Sequence, residues 1–440
     1  MSRSLKCSDG GIVIKFSPQG YRLLVPFLLP AAALYLLWRA RKQPSYLKHW
    51  GERFAWASFP EAKEGRRRVW LHAVSVGETN ATKPLVQAIL KEWPDADILL
   101  THMTPTGREA GAKIVALAPD RITQCFLPYD AVYAMRKFLR QTKPDLGLVM
   151  ETEVWPTVLE EAKRAGIPVA LVNARLSQKS FDQAMSQPLV MKDAMSKFSA
   201  VCAQADSDAQ RLKAMGTVEP VVTGSLKFDI KAPDAAVQKG RAWRQAFGKP
   251  VVMLASSRDG EEALLIEALE KSRRSDIRYL LVPRHPQRFA EIEALLQKSS
   301  LRYQKRSTVE VPQDVAQDTE LILGDSMGEM FFYCAMADVV LMGGSFKPFG
   351  CQNVIEPAGL GVPVIVGPST FNFSEVVRQG KAAQAVWQVA DMAEAVTLAH
   401  RWIDDPGVLS ELKNCALTFA KTHVGATERT MKVLDKLWQK

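Results

Sequence analysis

Cysteine is sparse and unpatterned in this sequence. The six, Cys7, Cys125, Cys202, Cys334, Cys351 and Cys415, are widely scattered and none forms a C-x-x-C pair. That spacing argues against a disulfide framework and for a reducing compartment, the cytosol, for the bulk of the chain. Cys125, Cys202 and Cys334 lie in apolar runs and read as small core residues. Zinc-finger spacing, an RNP-like motif and a long basic run are missing as well, so no nucleic-acid partner is expected. No internal repeat or low-complexity segment interrupts the chain. Acidic residues are the scarcer sign, 47 against 57 Lys plus Arg, leaving a net charge of +10. An anionic membrane or a phosphorylated substrate would accommodate that excess. With 47% hydrophobic and 24% charged residues, the balance is that of a globular protein, and 440 residues suggest roughly two to three domains.

Residues 1–20 are polar and read as an irregular tail. Tyr21 to Trp38, YRLLVPFLLPAAALYLLW, is about the minimum length for crossing a bilayer. Arg22, Pro26 and Pro30 weaken it as a span. Arg39, Arg41 and Lys42 follow it, so the positive-inside rule keeps the downstream domains in the cytoplasm. These basic residues and Trp38 stand where a signal peptide would need small residues for cleavage. Residues 21–45 are therefore expected to anchor the chain to a membrane, spanning it or lying in the interface. Pro44 to Phe54, PSYLKHWGERF, alternates aromatic and basic residues. It suits a headgroup boundary, with Tyr46 and Trp50 at the apolar edge and Lys48 and Arg53 towards phosphates. Arg66-Arg67-Arg68 adds charge that serves a membrane or a solvated face equally well.

From residue 46 to 229, apolar strand-like runs alternate with helical ones. Val69–Val74 precedes a helix from about Glu78 to Trp93, and Leu146–Met150 one near Thr157–Ala165; a longer helix precedes Ala200–Ala203. This is the pattern of a doubly wound parallel sheet, an α/β fold. Two acidic sites stand at strand ends. In HAVSVGET the strand should stop at Gly77, placing Glu78 at the head of a helix whose dipole keeps it ionised, as suits a general base; on spacing alone a plain helix-starting acid is the preferred reading. In METEVWP, Glu151 and Glu153 share one face just past a strand and could hold hydroxyls, bind a metal or tune each other. Asp95-Ala96-Asp97 and Asp206-Ser207-Asp208 mimic a metal-binding D-x-D but sit where such pairs cap helices, and no metal is expected.

Residues 230–248 turn polar and read as a linker, and a second α/β series fills 249–424. Arg284 ends the strand Tyr279–Val282, where it can pair with phosphate; His285 beside it fits a helix start as well as any chemistry. Gly328 should open a helix beside Glu329. After the apolar strand Val339–Met342, the stretch Gly343–Val376 reads glycine loop, helix start and a second strand, Pro363–Val366: a ligand site at the carboxyl edge of a parallel sheet. Its glycines let backbone approach a phosphate, Asn353 can cap the next helix, and Glu356, one turn inside, can accept from a ribose diol. A nucleotide fits there.

HAVSVGE, MTPTG, LPYD, METEVWP, NARLS, GSLKFD and the string N-x-x-E-P followed by G-x-P-V-I-x-G-P, in this order and after an apolar segment and WGERF, resemble the signature series of bacterial 3-deoxy-D-manno-octulosonic acid (Kdo) transferases. The likeness runs over nearly the whole chain from Tyr21. It implies a GT-B architecture, two Rossmann-like domains facing across a cleft, with the last helix (425–440) crossing back to the first domain. It also implies inverting transfer of Kdo from CMP-Kdo to lipid IVA, a lipid A precursor, at the membrane, with Glu78 as base and Glu151 and Lys227 as transition-state stabilisers. Pro283, Arg284, Met327, Gly328, Glu329, Asn353, Val354, Ile355 and Glu356 would line the CMP pocket; inner-membrane phospholipids and no cofactor are implied. Two places depart from the pattern: Gly350-Cys351-Gln352-Asn353 for G-G-H-N, and Ser256-Ser257-Arg258-Asp259-Gly260-Glu261-Glu262 for S-T-H-x-G-E-E. The rival readings are another GT-B sugar-nucleotide enzyme and a non-catalytic, decayed homologue.

Overall fold

The computed structural model describes residues 16–439. They form two compact units, one made of the described chain up to Ile230 together with the segment from Gly425 onward, the other running Lys231–Val424. Each unit is built on a seven-stranded sheet with parallel pairing.

In the first unit the strands are β1 (Arg67–His72), β2 (Ala96–His102), β3 (Ile122–Phe126), β4 (Leu146–Met150), β5 (Val169–Ala174), β6 (Ala200–Ala203) and β7 (Val221–Val222). Their spatial order is β3-β2-β1-β4-β5-β6-β7. Strands such as ADILLTH and LGLVM are buried along their whole length, because helices cover both faces of a parallel sheet. The order reverses between β1 and β4, so the chain leaves their carboxyl ends in opposite directions and opens a crevice there.

The helix expected over 78–93 is two, Val76–Ala81 and Lys83–Glu92. Pro84, second in the latter, has no N–H to continue the former. Pro188 likewise divides the expected longer helix into Gln178–Ala184 and Pro188–Met195. Within the basic stretch 66–68, Arg68 is not on a solvated face. Arg68 is 1% exposed; its Nε donates to Asp97 at 3.1 Å and its Nη2 to the Glu61 carbonyl at 2.7 Å. Arg53, expected to face phosphates, is buried, stacked 3.8 Å above the Phe126 ring and donating to the Met103 carbonyl at 2.9 Å.

The apolar segment begins before the expected residue 21. Ser17 accepts from the Gly20 N–H at 3.0 Å and caps a helix spanning Pro18–Ala40, so only residues 1–15 of the expected tail lie outside the described residues. It is long and apolar enough to cross a membrane. Val25 and Leu36 turn inward, whereas Leu23, Phe27, Leu34 and Trp38 are exposed. Tyr21 donates to buried Asp130 at 3.2 Å and Arg22 pairs with Glu160 at 3.4 Å, which ties one side of the helix to the first unit. The segment from Gly425 adds the helix Ala426–Trp438, burying Met431, Leu434 and Trp438; the Trp438 ring stacks on Trp93 with centroids 4.5 Å apart.

The second unit holds β8 (Val251–Ser257), β9 (Arg278–Pro283), β10 (Tyr303–Lys305), β11 (Leu321–Leu323), β12 (Val339–Met342), β13 (Val364–Val366) and β14 (Val386–Gln388), in the order β10-β11-β9-β8-β12-β13-β14. Here the reversal falls between β8 and β12. The stretch 230–248 is not a bare linker: Asp234–Phe247 is a helix of this unit, with Trp243 buried edge-on against Phe332 at 5.3 Å.

Candidate functional site

At the carboxyl end of β1 the chain turns through Ala73 and Val74, and Ser75 caps the helix Val76–Ala81. β1 thus ends at His72 rather than Gly77, and Glu78 is the third helical residue. Its Oε2 accepts from the Val74 N–H at 2.9 Å and its Oε1 from the Ser75 hydroxyl at 2.7 Å, while Ser75 Oγ takes the Glu78 N–H at 3.4 Å. Ser75-x-x-Glu78 has the spacing of a capping box, although the Glu78 carboxylate takes the Val74 N–H rather than that of Ser75, and that spacing is the signal in the sequence that would have located the helix start. The dipole does not keep Glu78 ionised. The residue is 9% exposed, and burial outweighs both hydrogen bonds, pushing its carboxyl pKa up to about 7, with the charges of Glu151 and Glu153 adding to the rise.

Next to β1, β4 delivers Glu151. Its backbone is left-handed (φ 55°), with its N–H held by the Val172 carbonyl at 3.0 Å. The chain has therefore left the strand, and strand alternation does not set the direction of Glu151 and Glu153. A non-glycine residue in this region costs roughly 1 kcal/mol, a strain that clusters at functional sites. Glu151 Oε1 accepts from Lys227 Nζ at 3.0 Å. Lys227 sits in the short turn Leu226–Asp229, fixed on both sides: the Leu226 N–H donates to buried Asn173 at 3.0 Å and Asp229 accepts from the Gly425 N–H at 2.7 Å. Glu153 accepts from Trp155 Nε1 at 3.1 Å, and its pKa is raised chiefly by burial. Trp155 packs edge-on against buried His72 at 6.3 Å. One crevice thus gathers a carboxyl that titrates near neutrality and an acid paired with a lysine. This set can take a proton from a hydroxyl and meet developing charge.

In the second unit, the chain past β9 places Pro283 buried and Arg284 exposed, with the Arg284 N–H donating to the Ser257 carbonyl at 3.1 Å. His285 is held below its ordinary pKa by partial burial and by the charges of Arg258, Arg284 and Arg288, which makes this edge electropositive. Past β12, Asn353 does not occupy the capping position itself; it accepts from the Ile355 N–H at 3.1 Å ahead of the helix Ile355–Gly359. Glu356 is the second residue of that helix, in its first turn. Burial raises its pKa, opposed by a hydrogen bond from Asn353 and by the Arg284 charge. Arg284, Asn353 and Glu356 are therefore brought together, and Val354 and Ile355, between the last two in sequence, are buried. Met327 is exposed, and Gly328 (φ 83°) is a turn residue rather than a helix start. Glu329 precedes the helix Met330–Met336 and pairs with Arg306 at 3.2 Å and with Ser326.

A family profile described as 3-deoxy-D-manno-octulosonic-acid transferase (kdotransferase) matches residues 48–230. A 3-deoxy-D-manno-octulosonic acid transferase of Bordetella pertussis is 42% identical over 94% of this chain and 98% of its own length. The chain belongs to the Kdo transferase family. The Haemophilus influenzae transferase is 31% identical over 89% of this chain and 92% of its own. Among solved structures, a UDP-GlcNAc 2-epimerase from Neisseria meningitidis superposes with a TM-score of 0.57 at 16% identity, over 84% of this chain and all of its own. At that identity it shows the fold alone, the GT-B type.

Within this Kdo transferase fold, the two departures from the family pattern have a physical reading. Cys351 stands where the pattern has glycine, is left-handed (φ 71°) and buried, and its thiol donates to the Gln352 carbonyl at 3.3 Å. The guanidinium of Arg258, where the pattern has histidine, lies 4.6 Å from the centre of the Phe349 ring.

Proposed function

We propose that the protein transfers Kdo from CMP-Kdo to a glucosamine hydroxyl of lipid IVA, inverting the anomeric centre, at the cytoplasmic face of a membrane held by Pro18–Ala40. The observation that carries this is the buried Glu78 carboxyl, with a pKa of about 7, beside the Glu151–Lys227 pair at the carboxyl edge of β1 and β4. In this reading Glu78 takes the acceptor hydroxyl's proton as its oxygen bonds to the anomeric carbon of Kdo. The bond from that carbon to the cytidylate phosphate breaks, and CMP leaves with the electron pair. Glu151 and Lys227 stabilise the charge that develops. In the second unit, Glu356 and Asn353 would hold the ribose, Arg284 the phosphate, and Pro283, Met327–Glu329 and Val354–Ile355 the rest of the nucleotide. A monophosphate carries less charge than a diphosphate, so cationic side chains and helix starts suffice and the scheme requires no metal.

The exposed apolar side of Pro18–Ala40 and the basic residues after it support membrane attachment. Incubation of the purified full chain with CMP-Kdo and lipid IVA, with UDP-sugars in parallel, should yield a mass increase of one or more Kdo units only with CMP-Kdo. Turnover of a UDP-sugar instead, or equal activity of Glu78→Ala and wild type, would overturn the reading.

A further inference from the structure

We propose that Glu261 is a positioning residue that sets the shape of the loop following β12, and through it the affinity for the nucleotide-sugar donor; this rests on the reading of the second unit as the CMP-Kdo lobe. Glu261 opens the helix Glu261–Ser272 directly beyond β8 and is 0% exposed. Its Oε2 accepts from the Gly344 N–H at 2.7 Å and the Arg258 N–H at 2.8 Å, and its Oε1 from the Phe346 N–H at 2.9 Å. One carboxylate thus ties together the two loops that leave the carboxyl ends of β8 and β12, the strands where the sheet order reverses. The loops touch: a Cβ on Gly343 would stand 2.5 Å from the Ser256 carbonyl oxygen.

From this anchor the loop closes on itself. The Cys351 N–H donates to the Gly344 carbonyl at 2.8 Å and the Gln352 N–H to that of Gly343 at 3.0 Å. Asn353 and Glu356 follow at once, so the position of Gly344 and Phe346 is passed to the residues assigned to the ribose. Ser345 pins the other side by accepting the Gly367 N–H at 2.7 Å. Glu261 is fully covered and its oxygens are taken by three backbone donors, so it acts through the loop and not on the donor. Its neighbour Glu262 is differently engaged, accepting from the Ser257 hydroxyl and from Arg288, each at 2.7 Å.

The test uses the full chain with Glu261→Gln and Glu261→Asp. The amide keeps one acceptor oxygen and sets an NH2 against a backbone N–H, whereas aspartate keeps both oxygens on a shorter arm. For Glu261→Gln, the KM for CMP-Kdo should rise about tenfold or more while kcat stays within about threefold, and Glu261→Asp should recover part of the difference. Hydrogen exchange should quicken in peptides covering 343–353 and stay unchanged in 251–257. The proposal is overturned by an unchanged KM with unchanged exchange in 343–353, by a fall in kcat alone, or by loss of cooperative melting in both variants, which would make Glu261 a residue of the fold. A wild-type chain that does not use CMP-Kdo would sink the functional reading instead, and the exchange measurement would still decide the role of Glu261.

Discussion

Glu78→Gln separates what this carboxyl contributes to catalysis from what it costs the fold. Burial lifts its pKa from 4.5 in the unfolded chain to about 7 in the folded one. Below pH 4.5 it is protonated in both states, and the folded chain bears no penalty. As pH rises towards about 7 the unfolded chain ionises first, so stability falls; above that value both states are ionised and the whole cost is present. At about 1.4 kcal/mol per pH unit the cost is roughly 3 kcal/mol. Glutamine is nearly isosteric: its oxygen can keep the Val74 N–H and its amide can donate to Ser75 Oγ. Removing the charge should therefore stabilise the first unit by roughly 3 kcal/mol at pH 8 and by under about 1 kcal/mol at pH 5. The pH 8 gain corresponds to a melting midpoint raised by roughly 5–10 °C. Kdo transfer by the variant should fall by about 10²–10⁴-fold, and the wild-type rate should drop about tenfold per pH unit below the carboxyl's pKa. Calorimetry at the two pH values and timed mass spectrometry of the product check both halves. A stability change of equal size at pH 5 and pH 8, or a wild-type rate that is flat from pH 6 to 8, would refute the reasoning.

The Glu151–Lys227 pair is partly exposed, so Lys227→Met or Glu151→Gln should change unfolding free energy by less than about 1 kcal/mol. Each should still lower single-turnover transfer by about 10²–10³-fold if the pair stabilises the transition state. Asp130→Ala removes the buried acceptor shared by the Thr157 and Val158 N–H groups and the Tyr21 hydroxyl. It should cost about 1–3 kcal/mol in urea unfolding and speed tryptic cleavage after Arg39 and Arg41. Trp438→Ala, which deletes the ring stacked on Trp93, should destabilise the first unit by about 3–5 kcal/mol.

The strands legible in the sequence are those whose apolar runs are buried on both faces, such as β4 and β9. The edge strands β7 and β10, partly exposed and short, have no such run and gave no signal. Helix breaks at Pro84 and Pro188 were written in the chain, yet periodicity carried across them. At the site, the residue types and their order were readable, including Glu78, Glu151, Arg284 and Glu356. The roles of Arg53 and Arg68 were misjudged because a charged residue is mostly exposed unless a distant partner covers it, and Phe126 and Asp97 are distant in sequence. Glu261 matches the motif S-T-H-x-G-E-E, but the motif assigns it no role for the same reason: its three donors come from two loops.

Two parallel sheets, an apolar amino-terminal helix and membership of a sugar-transferring family were set by local pattern and by ordered motifs, because both depend on residues near each other along the chain. The protonation of Glu78, the pairing of Glu151 with Lys227 and the anchoring of the loop after β12 were decided only by the folded structure. Burial and electrostatic neighbours are properties of space, and in a parallel sheet the residues that meet at one edge are separated in the chain by whole strands and helices.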